Sequence, residues 1–369
     1  MYLNTIEMSR YTVNGLPWAH GLGKDVKECH TAKEVMQKAN LDWFVKKCEL
    51  VAQMPFSLHG DNTINEIDAL NGSFSRNGFI YRNLPEAYAT YRTDKNIPLG
   101  LVKSKYEVVQ NIDAFNFFDE AIGIDKCQWE SAGALGYGHK IFVTAKIAQT
   151  TEVETGSIKD PIDNYLVFTN SHDGTSSLTI MFTPIRVFCT NCLNAGLDSS
   201  SSYIRIRHTE SAKDRLEKGA EILRIACKKA NDAKQLYQAL YTIKMKDEEV
   251  LQYLANLNLT EQERLLLNEY DPHLGYKRLL NRDYMTLEKT GVSTRKANMI
   301  QNMYEYYMDG IGQQHIAGTA WGAYNAVTGF YSNVANLEGQ KRMESLLYGN
   351  AQRVMQKAIV EVGNVAKAA

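Results

Sequence analysis

The residues best suited to chemistry lie in Ile185–Asn194, where Arg186, Thr190, Asn191 and Asn194 set a guanidinium, a hydroxyl and two carboxamides around Cys189 and Cys192. Two thiolates at this spacing can chelate zinc, but a structural zinc site needs two more soft ligands. No second cysteine pair or His-x-x-x-His follows, and Cys227 and His208 are only loosely placed. A thioredoxin-like pair would need a parallel βαβ setting, whereas the strands here read as antiparallel. The cysteines are therefore expected in the core and no metal is expected. The remaining polar groups, at the end of a strand, suit a binding surface.

A second constellation is Tyr203-Ile204-Arg205-Ile206-Arg207-His208. In an extended segment the alternation puts Tyr203, Arg205 and Arg207 on one side and the isoleucines on the other. An aromatic ring with two guanidiniums suits phosphate pairing and base stacking. Lys213, Arg215 and Lys218 continue the positive run, but Glu210, Asp214, Glu217 and Glu221 dilute it and can pair within a helix.

A third set joins Trp18 and His20 with Trp321 and Asn325, in two glycine-flanked aromatic motifs that would line a ligand pocket if they met. Trp321, Tyr324, Ala326, Val327 and Phe330 also mark the packing face of a helix, and that structural role is favoured. Gly133–Lys140 superficially resembles a phosphate loop. It falls in a hairpin, with no helix N-terminus behind it, so a turn is expected with Tyr137, His139 and Lys140 at its tip. No phosphate-loop, nucleophile-elbow, metalloprotease or dinucleotide fingerprint occurs, which points to a non-catalytic protein without a cofactor.

The elements that must position these groups follow from periodicity. Thr31 with Glu34 forms a capping-box pattern opening a helix, with Val35, Ala39, Leu41 and Phe44 as its apolar residues. Short strands are expected over 48–54 and 79–91, with turns at Asn71-Gly72 and Asn77-Gly78, and then over 99–102 and 106–109. A helix is expected over 114–122. Two hairpins follow, 127–135 with 140–147 and 163–170 with 177–182, the second turning at His172-Asp173-Gly174-Thr175. From Ser211 the period becomes helical, beginning with Leu216, Ala220, Leu223 and Cys227. Helices are expected over 233–243, 247–257, 260–269, 296–308, 323–330 and 340–362.

The fold class expected is α+β: a curved antiparallel β-meander packed on helices, followed by a helix-rich C-terminal region. The divisions are an N-terminal arm and small α/β region over 1–98, a sheet core over 99–210 and a helical region over 211–369. The 369 residues carry a net charge of −1, so a polyanion must be held by a local patch rather than by the overall field. Neither an apolar leader nor a membrane span is legible, and a cytoplasmic protein, in the host cell if phage-encoded, is expected.

Several stretches resemble a phage- and plasmid-borne family described only as a domain of unknown function. They are Pro17–Gly23, Leu99–Val102 with Tyr106–Asn111, Arg186–Asn191 and Gly318–Thr328, in the family's order and across nearly the whole chain. The resemblance implies a mobile-element origin and no particular reaction. At the level of fold, a meander followed by a helix is similar to the core of single-strand annealing recombinases, which hold DNA in a basic groove. That likeness implies strand contacts from Lys140, Lys146, Arg186, Arg205 and Arg207, and Asn191 and Tyr203 complete the expected nucleic-acid-binding set. The leading expectation is a self-associating protein of phage or plasmid DNA metabolism that binds single-stranded nucleic acid, with strand annealing as a further step. Two alternatives stand beside it: a nucleotide or small-ligand binder in phage–host conflict, and an assembly protein of a mobile element.

Overall fold

The computed structural model describes residues 23–55, 73–76, 79–116, 127–148, 150–156, 158–186, 191–192, 203–209, 219–272, 274–347 and 349–368. Trp18, His20, Cys189, Thr190, Asn194, the Asn71-Gly72 and Asn77-Gly78 turns and the Ser211–Leu216 helix start lie outside these residues, as do the side chains of Asn191, Cys192, Tyr203, Ala220, Leu223 and Cys227.

The strands are β1 (Lys24–Asp25), β2 (Val45–Pro55), β3 (Phe74–Arg76), β4 (Phe79–Arg92), β5 (Ile97–Lys103), β6 (Cys127–Leu135), β7 (Lys140–Ile147), β8 (Thr151–Thr155), β9 (Ile158–Ser171), β10 (Leu178–Arg186), β11 (Asn191–Cys192) and β12 (Tyr203–Ile206). They form two antiparallel sheets. The eight-stranded sheet runs β1-β6-β7-β9-β10-β11, with β8 on β9 and β12 on β10; the four-stranded sheet runs β2-β4-β3, with β5 on β4. The helices are α1 (Ala32–Lys38), α2 (Gly219–Thr242), α3 (Asp247–Asn258), α4 (Glu261–Tyr270), α5 (Gly275–Leu280), α6 (Tyr284–Thr290), α7 (Thr294–Asp309), α8 (Ala320–Gly329), α9 (Gly339–Leu347) and α10 (Asn350–Ala368). An α+β fold results, with its strands in the N-terminal half and most of its helices in the C-terminal half.

Local chemistry explains the first elements. The Thr31 hydroxyl accepts from the Glu34 amide at 3.3 Å while the Glu34 carboxylate accepts from the His30 amide at 2.7 Å. The Thr31 cap starts α1, with Glu34 holding the residue before it, and Val35 is buried in the core. Phe44, expected on the same apolar face, is instead exposed because it lies beyond the helix, beside the first residue of β2. The β6–β7 hairpin turns at Gly136 and Gly138, both at positive φ, and a Cβ at Gly138 would press on the Trp43 ring. Lys140–Ile147 alternates little in burial: Ile141, Phe142, Val143, Thr144 and Ala145 are all buried. β9 and β10 are likewise buried along most of their length, so both faces of the central strands are covered.

Three further expectations are corrected. Residues 106–109 form no strand: the Gln110 side chain takes the strand-like role, donating to the Val45 carbonyl at 2.8 Å and accepting from its amide at 2.9 Å. The 79–91 region is one continuous strand, bulged where β2 and β4 lose register between Glu49 and Val51. The terminal helix is two, α9 and α10, and α5 and α6 add helices that weak periodicity hid. Of the helix expected over 114–122, residues 111–116 are described and helical. β5 pairs with β4 across residue 98. One buried apolar cluster runs from Val35 through Phe168 and Trp321 to Val362, joining sheets and helices.

Candidate functional site

Arg186, at the end of β10, was the cation expected to face a ligand. It is fully buried. Its Nε donates to both carboxylate oxygens of Asp160, at 2.9 and 2.7 Å, and its Nη2 donates to the Gly312 carbonyl at 2.8 Å. The Trp321 indole donates to the same carboxylate at 3.1 Å, and the Tyr237 ring lies 4.7 Å from it, centroid to centroid. Asn325 donates to the Trp321 carbonyl at 2.9 Å and is itself buried. The structure thus brings Arg186, Trp321 and Asn325 together, but as a closed junction between the large sheet and α8. Neither phosphate pairing by Arg186 nor a solvent-lined pocket at Trp321 and Asn325 fits this burial. A charge removed from water is retained only against a partner, and Asp160 supplies it.

The hairpin cations are also engaged. Lys146 meets Asp163 at 2.6 Å, and Lys140 lies 3.7 Å from Glu344. The hairpin tip leaves the Tyr137 side chain exposed, while its carbonyl accepts from Arg92 at 2.9 Å. Arg92 also stacks over Trp43 at 4.2 Å and binds Asp94 at 2.7 Å. The tip is a bracket between the two sheets. Asn191 is placed by its backbone alone, paired with Arg186.

Beyond the tip lies a junction of two buried histidines. Asn111 donates to the Leu41 carbonyl at 2.9 Å, so its Oδ1 accepts, and His172 Nε2 donates to it at 2.8 Å. His208 Nδ1 donates to the Glu107 carbonyl at 3.1 Å. His172 Nδ1 and His208 Nε2 then remain as lone pairs, and neither meets a donor among the described residues. Burial, and then repulsion from His208, holds His172 down at about 3; burial also lowers His208. Tyr106 stacks on His208 at 4.6 Å and donates to the Ser171 carbonyl at 2.6 Å; burial pushes its phenol up. Asp173 accepts from the Ser171 and Thr175 hydroxyls.

This junction builds a rim. β12 pairs with β10, Arg205 opposite Thr179, and Ile206 is buried while Arg205 and Arg207 are exposed. The amide of Glu107 donates to the His208 carbonyl at 3.1 Å, which draws the preceding turn alongside. That turn closes from the Tyr106 amide to the Lys103 carbonyl at 3.0 Å and leaves Lys103 and Lys105 exposed. Lys47 fixes it by donating to the carbonyls of Ser104 and Tyr106 at 3.0 and 2.8 Å. Two distant segments, one carrying exposed Lys103 and Lys105 and the other exposed Arg205 and Arg207, therefore meet at Glu107 and His208, with the exposed Glu107 between them. Arg207 enters no ion pair among the described residues. Sequence reasoning found the arginines by alternation. It missed the lysines, because long-range contacts of Tyr106 and Glu107 with His208 bring their turn near.

The molecule is thus an α+β protein with a closed core and a basic rim. Its sequence belongs to a family known as a domain of unknown function, DUF932, which it matches over residues 98–359. No curated protein and no solved structure matches it. No helix among the described residues is long and apolar enough to cross a membrane.

Proposed function

We propose that this chain is a DNA-metabolism protein of a mobile element that binds single-stranded nucleic acid at the rim of Lys103, Lys105, Arg205 and Arg207, and self-associates in order to align strands. The observation that carries this reading is the convergence of the 103–107 turn on Arg207-His208. Phosphates favour such a site because each neutralised charge releases counterions. The central strands are covered on both faces, so the strand is held at the sheet's edge. Lys140, Lys146 and Arg186 take no part, since carboxylates already engage or neighbour them.

The test is anisotropy of a labelled single-stranded oligonucleotide, with light scattering, at low and moderate salt. Four phosphate contacts predict a slope of log affinity against log salt near about −3 for a single strand. Arg205→Glu with Arg207→Glu is expected to abolish binding and leave the thermal midpoint unchanged. Binding that survives this charge reversal would remove the rim assignment. Defined assemblies that form and ignore the oligonucleotide would point to the assembly role instead.

A further inference from the structure

The outer half of the four-stranded sheet carries a surface that the rim does not explain. The register pairs Phe74 with Tyr81 and Arg76 with Phe79 on one side of β4, and Gln53 with Tyr81 and Val51 with Asn83 on the other. Directly paired residues, and those two apart along a strand, share a face. Val51, Gln53, Phe74, Arg76, Phe79 and Tyr81 therefore occupy one face. Phe74, Phe79 and Val51 are large apolar side chains left exposed, at 45%, 36% and 40%. Phe74 and Tyr81 are stacked, with centroids 4.7 Å apart and planes within 11°. Phe79 follows two residues before Tyr81, about 7 Å along the strand.

The chemistry of this face is selective. Within Val51–Pro55, Phe74–Arg76 and 79–83 the charged residues are Arg76 and Arg82, with no carboxylate among them. Arg76 and the Gln53 carboxamide are exposed. Rings set along a strand, one cation and an amide match what a single-stranded nucleic acid offers: a π-face on every base, a phosphate and base edges. The same strand leads back to the rim. Ala87 of β4 lies opposite Lys103, about 20 Å of strand beyond Tyr81.

We propose that this face is a base-stacking platform, the second contact surface for the single strand whose phosphates the rim neutralises. The assignment rests on the nucleic-acid reading above. Phe79 and the Phe74–Tyr81 pair take bases, and Arg76 takes a phosphate between them.

The experiment uses the full chain and a labelled oligo-dT. Phe74→Ala and Phe79→Ala are each expected to weaken binding about tenfold, at the same thermal midpoint. Their salt slope stays that of the wild type, because stacking releases no counterions. With Arg76 as a fifth contact the wild-type slope steepens to about −3.5, Arg76→Gln returns it to the rim's own value of about −3, and Phe79→Trp restores affinity. If the wild type binds and both alanine variants bind equally well, the platform is overturned and the rim reading stands. Loss of binding accompanied by a fall in thermal midpoint, with no rescue by Phe79→Trp, also overturns it as a mere packing effect. If the wild type fails to bind at low salt, both readings fall. Self-association abolished by Phe79→Ala, with no strand bound, would assign the face to a second copy of the chain.

Discussion

Removing Asp160 is the sharpest perturbation of this fold. Its carboxylate accepts two bonds from Arg186 and one from Trp321, and both charged partners are shut off from water, at 0% and 1% side-chain exposure. Asp160→Ala leaves the guanidinium buried without its counter-charge and the indole without its acceptor. Stranding one half of a buried ion pair costs about 3–5 kcal/mol. Asp160→Asn, which keeps an acceptor oxygen but loses the charge, should fall between the alanine variant and the wild type. Arg186→Met with Asp160→Leu removes both charges and should be less destabilised than either single charge deletion. Urea denaturation followed by intrinsic fluorescence measures this as a fall in midpoint at constant slope. A loss under about 1 kcal/mol for Asp160→Ala, or simple additivity in the double variant, would refute the view that this junction holds the sheet to α8 through mutual neutralisation.

Two more perturbations test the histidine junction and the contact between the sheets. Burial holds His172 at about 3, so the folded protein keeps it neutral while an unfolded chain takes up protons near about 6.5, and burial lowers His208 in the same direction. The unfolded state binds more protons on acidification. Stability is therefore full above about pH 6.5 and is lost as the pH falls toward 3, by up to about 1.4 kcal/mol per pH unit from His172, with His208 acting in the same direction. His172→Gln should flatten the profile between about pH 6 and 4 by one proton's worth, and an unchanged slope there would show that His172 is not held neutral. At Gly100 a Cβ would run into the backbone of Asp173. Gly100→Ala should then cost about 1–3 kcal/mol in the same denaturation assay, and a neutral result would mean the two sheets are not in firm contact there.

Much of the local architecture was legible because its causes are local. The Thr31–Glu34 cap, the Gly136–Gly138 and Asp173-Gly174 turns, and the apolar runs of β7 and β10 each report on a few neighbouring residues. The burial of Ile206 between exposed Arg205 and Arg207 follows from the two-residue period of a strand alone. What failed had remote causes. Arg186 reads as a surface cation until Asp160, 26 residues away, and Gly312, 126 residues away, close around it. Trp321, favoured as a packing residue of its helix, is buried, and only the tertiary structure shows its indole on the same carboxylate.

The rim and the aromatic face show the division most clearly. Residue types and strand period determined that Arg205 and Arg207 share a side, and that the chain would pair antiparallel strands with a helical second half. Only the tertiary structure decided that Lys103 and Lys105 lie beside them, that Phe74 stacks on Tyr81, and that His172 is buried in what reads as an exposed turn. The reason is that backbone periodicity is a short-range property, encoded residue by residue. Desolvation and charge pairing depend on which distant segments exclude water together, and that is settled only when the core closes.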